Sequence, residues 1–514
     1  MWVSLLCVAA MGCAENLTPP DDAAVGADVV GADVVGTDVV GTDVVGTDVV
    51  GADVVGTDVP PTCEAPSSAV APGASSRCRA QRLTVDPMSL CGSVTRCPVV
   101  SVASLHCDDA SGYGPWVTAD GTGASVLFVT NVGGFTPRLF SLPAGGGALR
   151  VEDVAGVGVA STVLRADPAG GLHILYGERP GATDLARGAS GWARRRLAPN
   201  PPSGGLFPTD ARFAGEVAHA VWFNFNDHSA ELATGRDGCW SARRIHDTVQ
   251  TDLALSLDRA GAPWVAYYAS ASGSPVLRTL APDGMIHELW RATGQPVGLN
   301  SREMPRFVAG GIDGQGRWPV ALVREPDGLT LRLRADAATT WTSVLLPDAA
   351  LDQSTGDCPS GEPVGPGDDP CNGLRVCAQR TVGSSGIFGL ARTASGALWA
   401  VWAQRDDTVD YSLRGGGCMG GGGGGGPGVD AGGPPRCVCM STPTGSRGTL
   451  TLRVGQVTPS GVTVVGQLRF DTGGPVPNYF DVAARGEHLL VVVPMHNESG
   501  LDLRYLDLDL NQTP

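Results

Sequence analysis

The chain has 514 residues, 42% of them hydrophobic, which is enough to bury a large core and excludes full disorder. The formal net charge is −16, but residues 1 to 76 hold eleven acidic and no basic side chains, so the remainder is close to neutral. No basic stripe is available for nucleic acid. All 36 basic residues are arginine, which excludes a P-loop and Schiff-base catalysis because both need lysine.

Residues 1 to 13, MWVSLLCVAAMGC, form an apolar stretch too short to span a bilayer, ending in a small residue and Cys13. The segment resembles the lipobox of bacterial lipoproteins, in which the cysteine is lipidated and becomes the new N-terminus. It departs from that pattern at Ala10 and Met11 and lacks a preceding positive charge. The resemblance implies a signal peptide, lipidation of Cys13 and a place in the bacterial cell envelope, as an outer-membrane lipoprotein. Plain secretion and an accidental apolar terminus are the alternatives.

Residues 14 to 76 form an acidic low-complexity linker, in which 26 to 60 are seven copies of Gly-Ala/Thr-Asp-Val-Val, the last ending in Pro. A period of five matches neither a helix nor a strand, and the repeated carboxylates repel each other. This predicts a disordered spacer with a root-mean-square reach of about 45 Å. Calcium binding is the alternative, but this period does not bring six oxygens together.

Twelve cysteines remain after Cys7 and Cys13, an even number. They lie mainly in a Cys-rich lead-in at 77–110 and in two predicted loop insertions, at about 348–376 and 415–447. This distribution is typical of disulfides in an exported protein, and the sequence does not determine their pairing. No zinc site is predicted, because no pair here has the Cys-x-x-Cys spacing.

Residues 111 to 514 repeat one unit, a short apolar strand, a turn related to Asp-x-x-Gly, and a second strand ending in an aromatic residue. The clearest copy is LALSLDRAGAPWVAYY at 253 to 268. A period of mostly 45 to 55 residues predicts an all-β fold, a β-propeller of seven four-stranded blades, with six or eight as alternatives. The last blade has only three strands, so VVSVASL at 99 to 105 is predicted to supply its closing strand.

The repeated turn has a structural explanation. An aspartate such as Asp167 accepts backbone N–H groups across the turn, and a glycine such as Gly170 supplies a positive φ. Asp258 with Gly261, and Asp313 with Gly316, are the same pair in later repeats. The turns resemble the Asp-box repeats of secreted bacterial propellers, and this resemblance implies the fold only.

Large residues recur early in the second strand of each repeat. Packing between blades is the expected role, with sugar stacking or metal binding as alternatives. These residues are His173, His219, Trp264, Trp318, Trp399 and His488, with Tyr176, Trp222, Tyr267 and Trp402 three positions later in four repeats.

Asp-box propellers include sialidases, but the chain lacks their Phe/Tyr-Arg-Ile-Pro motif, and no catalytic residue or cofactor is predicted. Propellers bind ligands at the mouth of the central channel, where the innermost strands begin. The candidate binding residues there are Asp210, Asp252, Arg306 and Tyr479, against the alternative of an ordinary polar rim. The expected function is a monomeric binding module for an unknown protein or glycan. The alternatives are a carbohydrate-active hydrolase or lyase and an envelope-assembly scaffold.

Overall fold

The computed structural model of the chain describes residues between Thr62 and Gln512, with gaps. The gaps longer than three residues are 64–72, 85–89, 92–96, 131–135, 155–161, 178–181, 199–205, 270–274, 292–316, 336–340, 359–370, 416–438 and 473–479. The predicted signal peptide, Cys13 and the five-residue repeats lie outside the described residues.

The described residues form seven antiparallel sheets, and the all-β prediction is confirmed. Sheets 1 to 7 are numbered in chain order. The strands of each sheet are given from first to fourth. Sheet 1 has Gly112–Ala119, Gly123–Thr130, Thr136–Pro143 and Arg150–Asp153, and sheet 2 has Thr162–Ala166, Leu172–Gly177, Ala182–Gly188 and Gly191–Ala198. Sheet 3 has Leu206–Ala214, Val217–Asn224, Ala230–Arg236 and Cys239–His246, and sheet 4 has Ala254–Leu257, Pro263–Tyr268, Pro275–Leu280 and Ile286–Arg291. Sheet 5 has the described strands Arg317–Glu325, Gly328–Ala335 and Trp341–Leu345; sheet 6 has Phe388–Arg392, Leu398–Gly415, Cys439–Thr458 and Gly461–Thr472; sheet 7 begins with Asp481–Arg485, His488–Asn497 and Gly500–Asp509. The short 3-10 turns are Ala144–Gly146 and Leu510–Gln512.

Sheet 7 is completed by the N-terminal part of the chain. Val99–Cys107 pairs with Gly500–Asp509, so that Leu105 lies opposite Leu503. Cys78–Leu83 pairs with Val99–Cys107 on its other side. Residues 99–105, where the sequence predicts a closing strand, therefore hydrogen-bond to the C-terminal strand of the chain.

Consecutive sheets pack face to face through apolar side chains. Tyr505 of sheet 7 packs in one cluster with Phe140 of sheet 1, and Leu127 of sheet 1 packs in the next with Ile174 of sheet 2. Further clusters join sheets 2 and 3, 3 and 4, 5 and 6, and 6 and 7. Sheets 1, 2, 3, 6 and 7 therefore each pack against a neighbour on both faces. The first strands of sheets 6, 7, 1, 2, 3 and 4 lie side by side in that order.

The turns behave as the sequence predicts where they are described. The Asp167 carboxylate accepts hydrogen bonds from the N–H groups of Ala169, at 2.9 Å, and Gly171, at 2.7 Å. Gly170 has a φ of 85°, a conformation that favours glycine. Gly261 has the same φ of 85°, while Asp258, Asp313 and Gly316 lie outside the described residues.

Sheet 6 carries an arm. Its second strand pairs with the first strand up to Trp402, and from Arg405 it pairs with Val376–Gly383, to which Gln353–Gly356 is added. This long second strand includes the YSLR segment at 411 to 414 near its end. The part from Arg405 to Gly415 extends roughly 35 Å at about 3.3 Å per residue.

Two disulfides hold this arm together. Cys358 is bonded to Cys377, and Cys371 is bonded to Cys439. The second bond joins the two segments predicted as loop insertions, and the described ends of both segments are strands. Cross-links and mutual pairing thus replace the core that neither segment can form alone.

The lead-in at 77–110 contains two further disulfides, Cys78–Cys107 and Cys91–Cys97. Four disulfides among the described residues indicate an oxidising environment outside the cytoplasm. In the described part of the chain, none of the helical turns approaches the length and apolarity needed to cross a membrane.

Candidate functional site

Of the predicted ligand-binding residues, only Asp210 is described. Asp252, Arg306 and Tyr479, together with the predicted lipidation site Cys13, lie outside the described residues. Ligand binding by Asp210, Asp252, Arg306 and Tyr479 and lipidation of Cys13 stay predictions. The geometry of Asp210 shows what its carboxylate contacts in the folded chain.

Asp210 lies on the first strand of sheet 3 and is 4% exposed. Its Oδ1 atom accepts hydrogen bonds from Arg165 Nη2 and Arg212 Nη1, both at 2.7 Å, and from the backbone N–H of Ala211 at 2.8 Å. Its Oδ2 atom accepts the N–H of Leu255, on the first strand of sheet 4, at 3.0 Å. This carboxylate therefore joins the first strands of sheets 2, 3 and 4.

Burial by itself would raise the pKa of Asp210, but the neighbouring charges of Arg212 and Arg165 and the hydrogen bonds hold the pKa below its usual 3.8. Asp481 of sheet 7 makes an equivalent contact, accepting the N–H of Val117 in sheet 1 at 2.8 Å. Both carboxylates are thus engaged in contacts between adjacent sheets.

A cavity of about 340 Å³ lies between sheets 7 and 1. Arg485, at the end of the first strand of sheet 7, lines it on one side, and Leu142 and Pro143, at the end of the third strand of sheet 1, line it on the other. The cavity therefore opens at the face where first strands end, which is opposite to the predicted channel mouth. Its position was not predicted.

A charged cluster forms the sheet 7 wall of this cavity. Arg485 Nη2 lies 2.8 Å from Asp507 Oδ2, and His488 Nδ1 lies 2.7 Å from Asp507 Oδ1. Because a carboxylate only accepts, His488 donates through Nδ1, which leaves Nε2 as the atom able to take up a proton. The His488 side chain is 31% exposed, so its imidazole is accessible from solvent, whereas the Asp507 side chain is only 10% exposed.

Tyr505 and Arg82 add further polar groups to the same wall. Tyr505 is 2% exposed as a whole residue and lines the cavity. Burial, with the Asp507 charge adding to it, raises the pKa of Tyr505, so the hydroxyl stays protonated. Arg82 Nη2 donates to the carbonyl of Pro143 at 2.9 Å, which joins the two walls.

The sheet 1 wall ends in Ala144–Gly146, where Gly145 and Gly146 have φ values of 74° and 90°. Both values lie in the left-handed region that favours glycine. Since these two residues carry no side chain, the wall leaves the cavity open beside them.

The large residues of the second strands divide into two groups. Packing is confirmed for the buried side chains, which are Tyr176, Trp222, Tyr267, Trp402, Trp264, Trp399 and His219. His173 instead places Nδ1 3.0 Å from an oxygen of Asp184, and His488 contacts Asp507. The side chain of Trp318 lies outside the described residues.

Sequence reasoning grouped His488 with the packing residues and did not single out Arg82, Arg485, Tyr505 or Asp507. A signal was present in the short turn between Arg485 and His488. It places this histidine at the very start of its strand, at the edge of the sheet rather than in its interior. Asp507 is recognisable only from strand pairing, because it lies on the next strand of sheet 7.

No protein family model matches the chain, and no curated protein sequence matches it. Among solved structures, a puromycin hydrolase is similar over 78% of this chain and 53% of its own length, at 14% identity and a TM-score of 0.41. The chain thus spans about half the length of that protein. A neuraminidase-like protein of A/little yellow-shouldered bat/Guatemala is similar over 79% of this chain and 98% of its own length, at 10% identity and a TM-score of 0.34.

A gluconolactonase from Xanthomonas campestris is similar over 76% of this chain and 98% of its own length, at 12% identity and a TM-score of 0.34. The TM-scores of all three structures are low. The activities named for these proteins therefore say nothing about the reaction or ligand of this chain.

Proposed function

We propose that the protein is a seven-bladed β-propeller of the bacterial cell envelope that binds a saccharide in the cavity between sheets 7 and 1. The side-by-side order of the first strands and the apolar clusters between sheets support a closed ring, in which each sheet is a blade. Sheet 4 also contacts sheet 5 through Pro275–Leu280 and Arg317–Glu325, which supports closure on the remaining side.

The observation that carries the binding proposal is the Arg82 guanidinium at the cavity, whose Nε atom is buried without a hydrogen-bond partner among the described residues. Buried polar groups are normally hydrogen-bonded, so a donor of this kind fits a ligand that supplies the missing acceptor. The volume of about 340 Å³ is in the usual range for ligand pockets and suits one or two sugar rings. Arg485, His488 and Asp507 add the converging donors and acceptors that a polyhydroxylated molecule requires.

A variant that fills the cavity tests this proposal. Ser101 lines the cavity from the fourth strand of sheet 7, and Ser101→Trp is expected to abolish saccharide binding by the full chain. Saturation-transfer NMR against a panel of neutral and acidic mono- and disaccharides measures it. The matched control is Ser354→Trp, on the exposed strand of the sheet 6 arm, which should bind as the wild type does. Unchanged binding by Ser101→Trp would reject the cavity as the site.

The envelope location belongs to the same proposal. Lipidation of Cys13 and the acidic spacer would hold the propeller clear of a membrane, which suits the presentation of a binding surface. Radiolabelled palmitate should be incorporated into the wild-type chain and not into Cys13→Ala. Equal labelling of both would reject the anchor.

The His488–Asp507 pair favours hydrolysis as a second candidate function. In this mechanism His488 Nε2 removes a proton from water, the water oxygen bonds to an ester or lactone carbonyl, and the proton passes to the departing alkoxide. Asp507 holds the ring orientation and stabilises the imidazolium. The assay is turnover of an ester, lactone and glycoside panel that disappears in His488→Gln and persists in the exposed control His287→Gln. Absence of any turnover by the wild type leaves binding as the function.

A further inference from the structure

Arg82 and Tyr505 are donors on the cavity wall, whereas His488 Nε2 is an acceptor. Arg82 Nη2 donates only to backbone carbonyls, that of Pro143 at 2.9 Å and, more weakly, that of Gly147 at 3.5 Å. Its Nε atom is buried without a hydrogen-bond partner among the described residues. The Tyr505 hydroxyl, which is protonated, is a second donor on the same wall. A ligand that satisfies these two donors must therefore present acceptors.

The sheet 7 wall of the cavity also carries a net positive charge. Asp507 is the carboxylate of the cavity lining, and it already accepts from both Arg485 and His488. Arg82 forms no ion pair with any carboxylate in the described ranges, and carbonyl groups do not neutralise a guanidinium. The two arginines and one aspartate leave one positive charge, which matches a singly charged anion. A doubly charged phosphate would exceed that balance and would be repelled by Asp507.

From these donors and this charge we infer that the ligand carries a single carboxylate, as a uronic acid does, and that Arg82 binds it. This inference rests on the proposed saccharide site. The planar guanidinium fits a carboxylate, while Tyr505 donates to a ring or hydroxyl oxygen of the sugar.

Calorimetric titration of the full chain with D-glucuronate, D-glucose and D-glucose 6-phosphate tests the inference. Glucuronate should bind the wild type most tightly, and more weakly at high salt, because its contact with Arg82 is ionic. Arg82→Gln should lower the affinity for glucuronate by about tenfold, in line with loss of a charged hydrogen bond, and leave that for glucose within about twofold. The control is Arg380→Gln, which removes an exposed arginine of the sheet 6 arm and should change neither affinity.

The results separate this inference from the proposed function. If Ser101→Trp abolishes binding while Arg82→Gln affects glucose and glucuronate equally, the carboxylate inference is rejected and the saccharide site stands. Tighter binding of glucose 6-phosphate than of glucuronate also rejects the carboxylate. If no sugar binds in a way that depends on Ser101, both are rejected. Should Arg82→Gln fail to fold, Arg82→Lys keeps the charge without the planar fork and should weaken glucuronate binding selectively.

Discussion

Removal of the Asp210 carboxylate is expected to destabilise the whole fold. In Asp210→Ala, Arg165 and Arg212 lose the oxygen that both contact at 2.7 Å, and the Leu255 N–H loses its acceptor. Breaking a buried ion pair from one side costs roughly 3 to 5 kcal/mol. The charge of Asp481 also acts on Arg165 and Arg212 and compensates part of this loss. At about 2.1 cal/mol/K per residue over roughly 400 residues, the full loss corresponds to a fall in melting temperature of about 4 to 6 °C.

Urea unfolding at neutral pH, followed by tryptophan fluorescence, measures the free energy of unfolding, and calorimetry measures the melting temperature. The matched control is Asp410→Ala. It removes an ion pair with Arg447 of similar length, 2.9 Å, between exposed side chains, and should cost less than about 1 kcal/mol. A loss for Asp210→Ala no larger than that of the control would refute the reasoning.

The pH dependence gives a second check on the same network. Because the pKa of Asp210 is held below its ordinary 3.8, its contribution to stability is complete above 3.8 and is lost as the pH falls through the lowered value. The difference in unfolding free energy between the wild type and Asp210→Ala should therefore be constant from about pH 5 to 8 and shrink in more acidic solution. A difference that varies near neutral pH would contradict this account.

Three further results are expected. Burial lowers the pKa of His219 from 6.5 to about 4, so between these pH values the histidine takes up a proton only in the unfolded chain, and the free energy of unfolding falls by up to about 3 kcal/mol as the pH is lowered. In urea titrations at several pH values, His219→Gln should remove this pH dependence, and an unchanged dependence would contradict the explanation. The Asp184 and Asp167 charges outweigh burial and raise the pKa of His173, so the contribution of His173 to stability is complete below pH 6.5 and is lost as the pH rises through the raised pKa. The difference in unfolding free energy between the wild type and His173→Gln should therefore shrink in that range, and a difference that grows with pH would disprove the account. Replacing Cys371 and Cys439 by serine removes a disulfide that closes a loop of 68 residues, which chain entropy predicts to stabilise the protein by about 4 kcal/mol. Limited proteolysis should then cut the sheet 6 arm faster than in the wild type, and unchanged resistance would show that the disulfide does not stabilise the arm.

Local patterns made much of the fold predictable. The alternation of apolar residues predicts strands, and the aspartate and glycine of the turn at Asp167 predict the hairpin, because both depend on neighbouring residues. The burial of Trp222 and Trp402 follows from the same repeat. The arm of sheet 6 was missed, since its strands become stable only when two segments far apart in the chain are joined by Cys371–Cys439.

The candidate site was less predictable than the fold. Arg82 and Asp507 are 425 positions apart in the chain, and they meet because strand pairing brings residues 78–107 beside the C-terminal strands. Asp210 was recognised as an inner-strand residue, but the two arginines that surround it come from different strands, and one of them belongs to another sheet.

The sequence by itself determined the all-β class, the repeated hairpin and the presence of disulfides, because each is decided by residue type and by spacing within one repeat. Tertiary structure alone decided which cysteines pair, how the arm is assembled and where a polar cavity opens between sheets 7 and 1. These features depend on which surfaces meet when one sheet packs against the next. A burial pattern specifies that a strand face is covered, but not the residues that cover it.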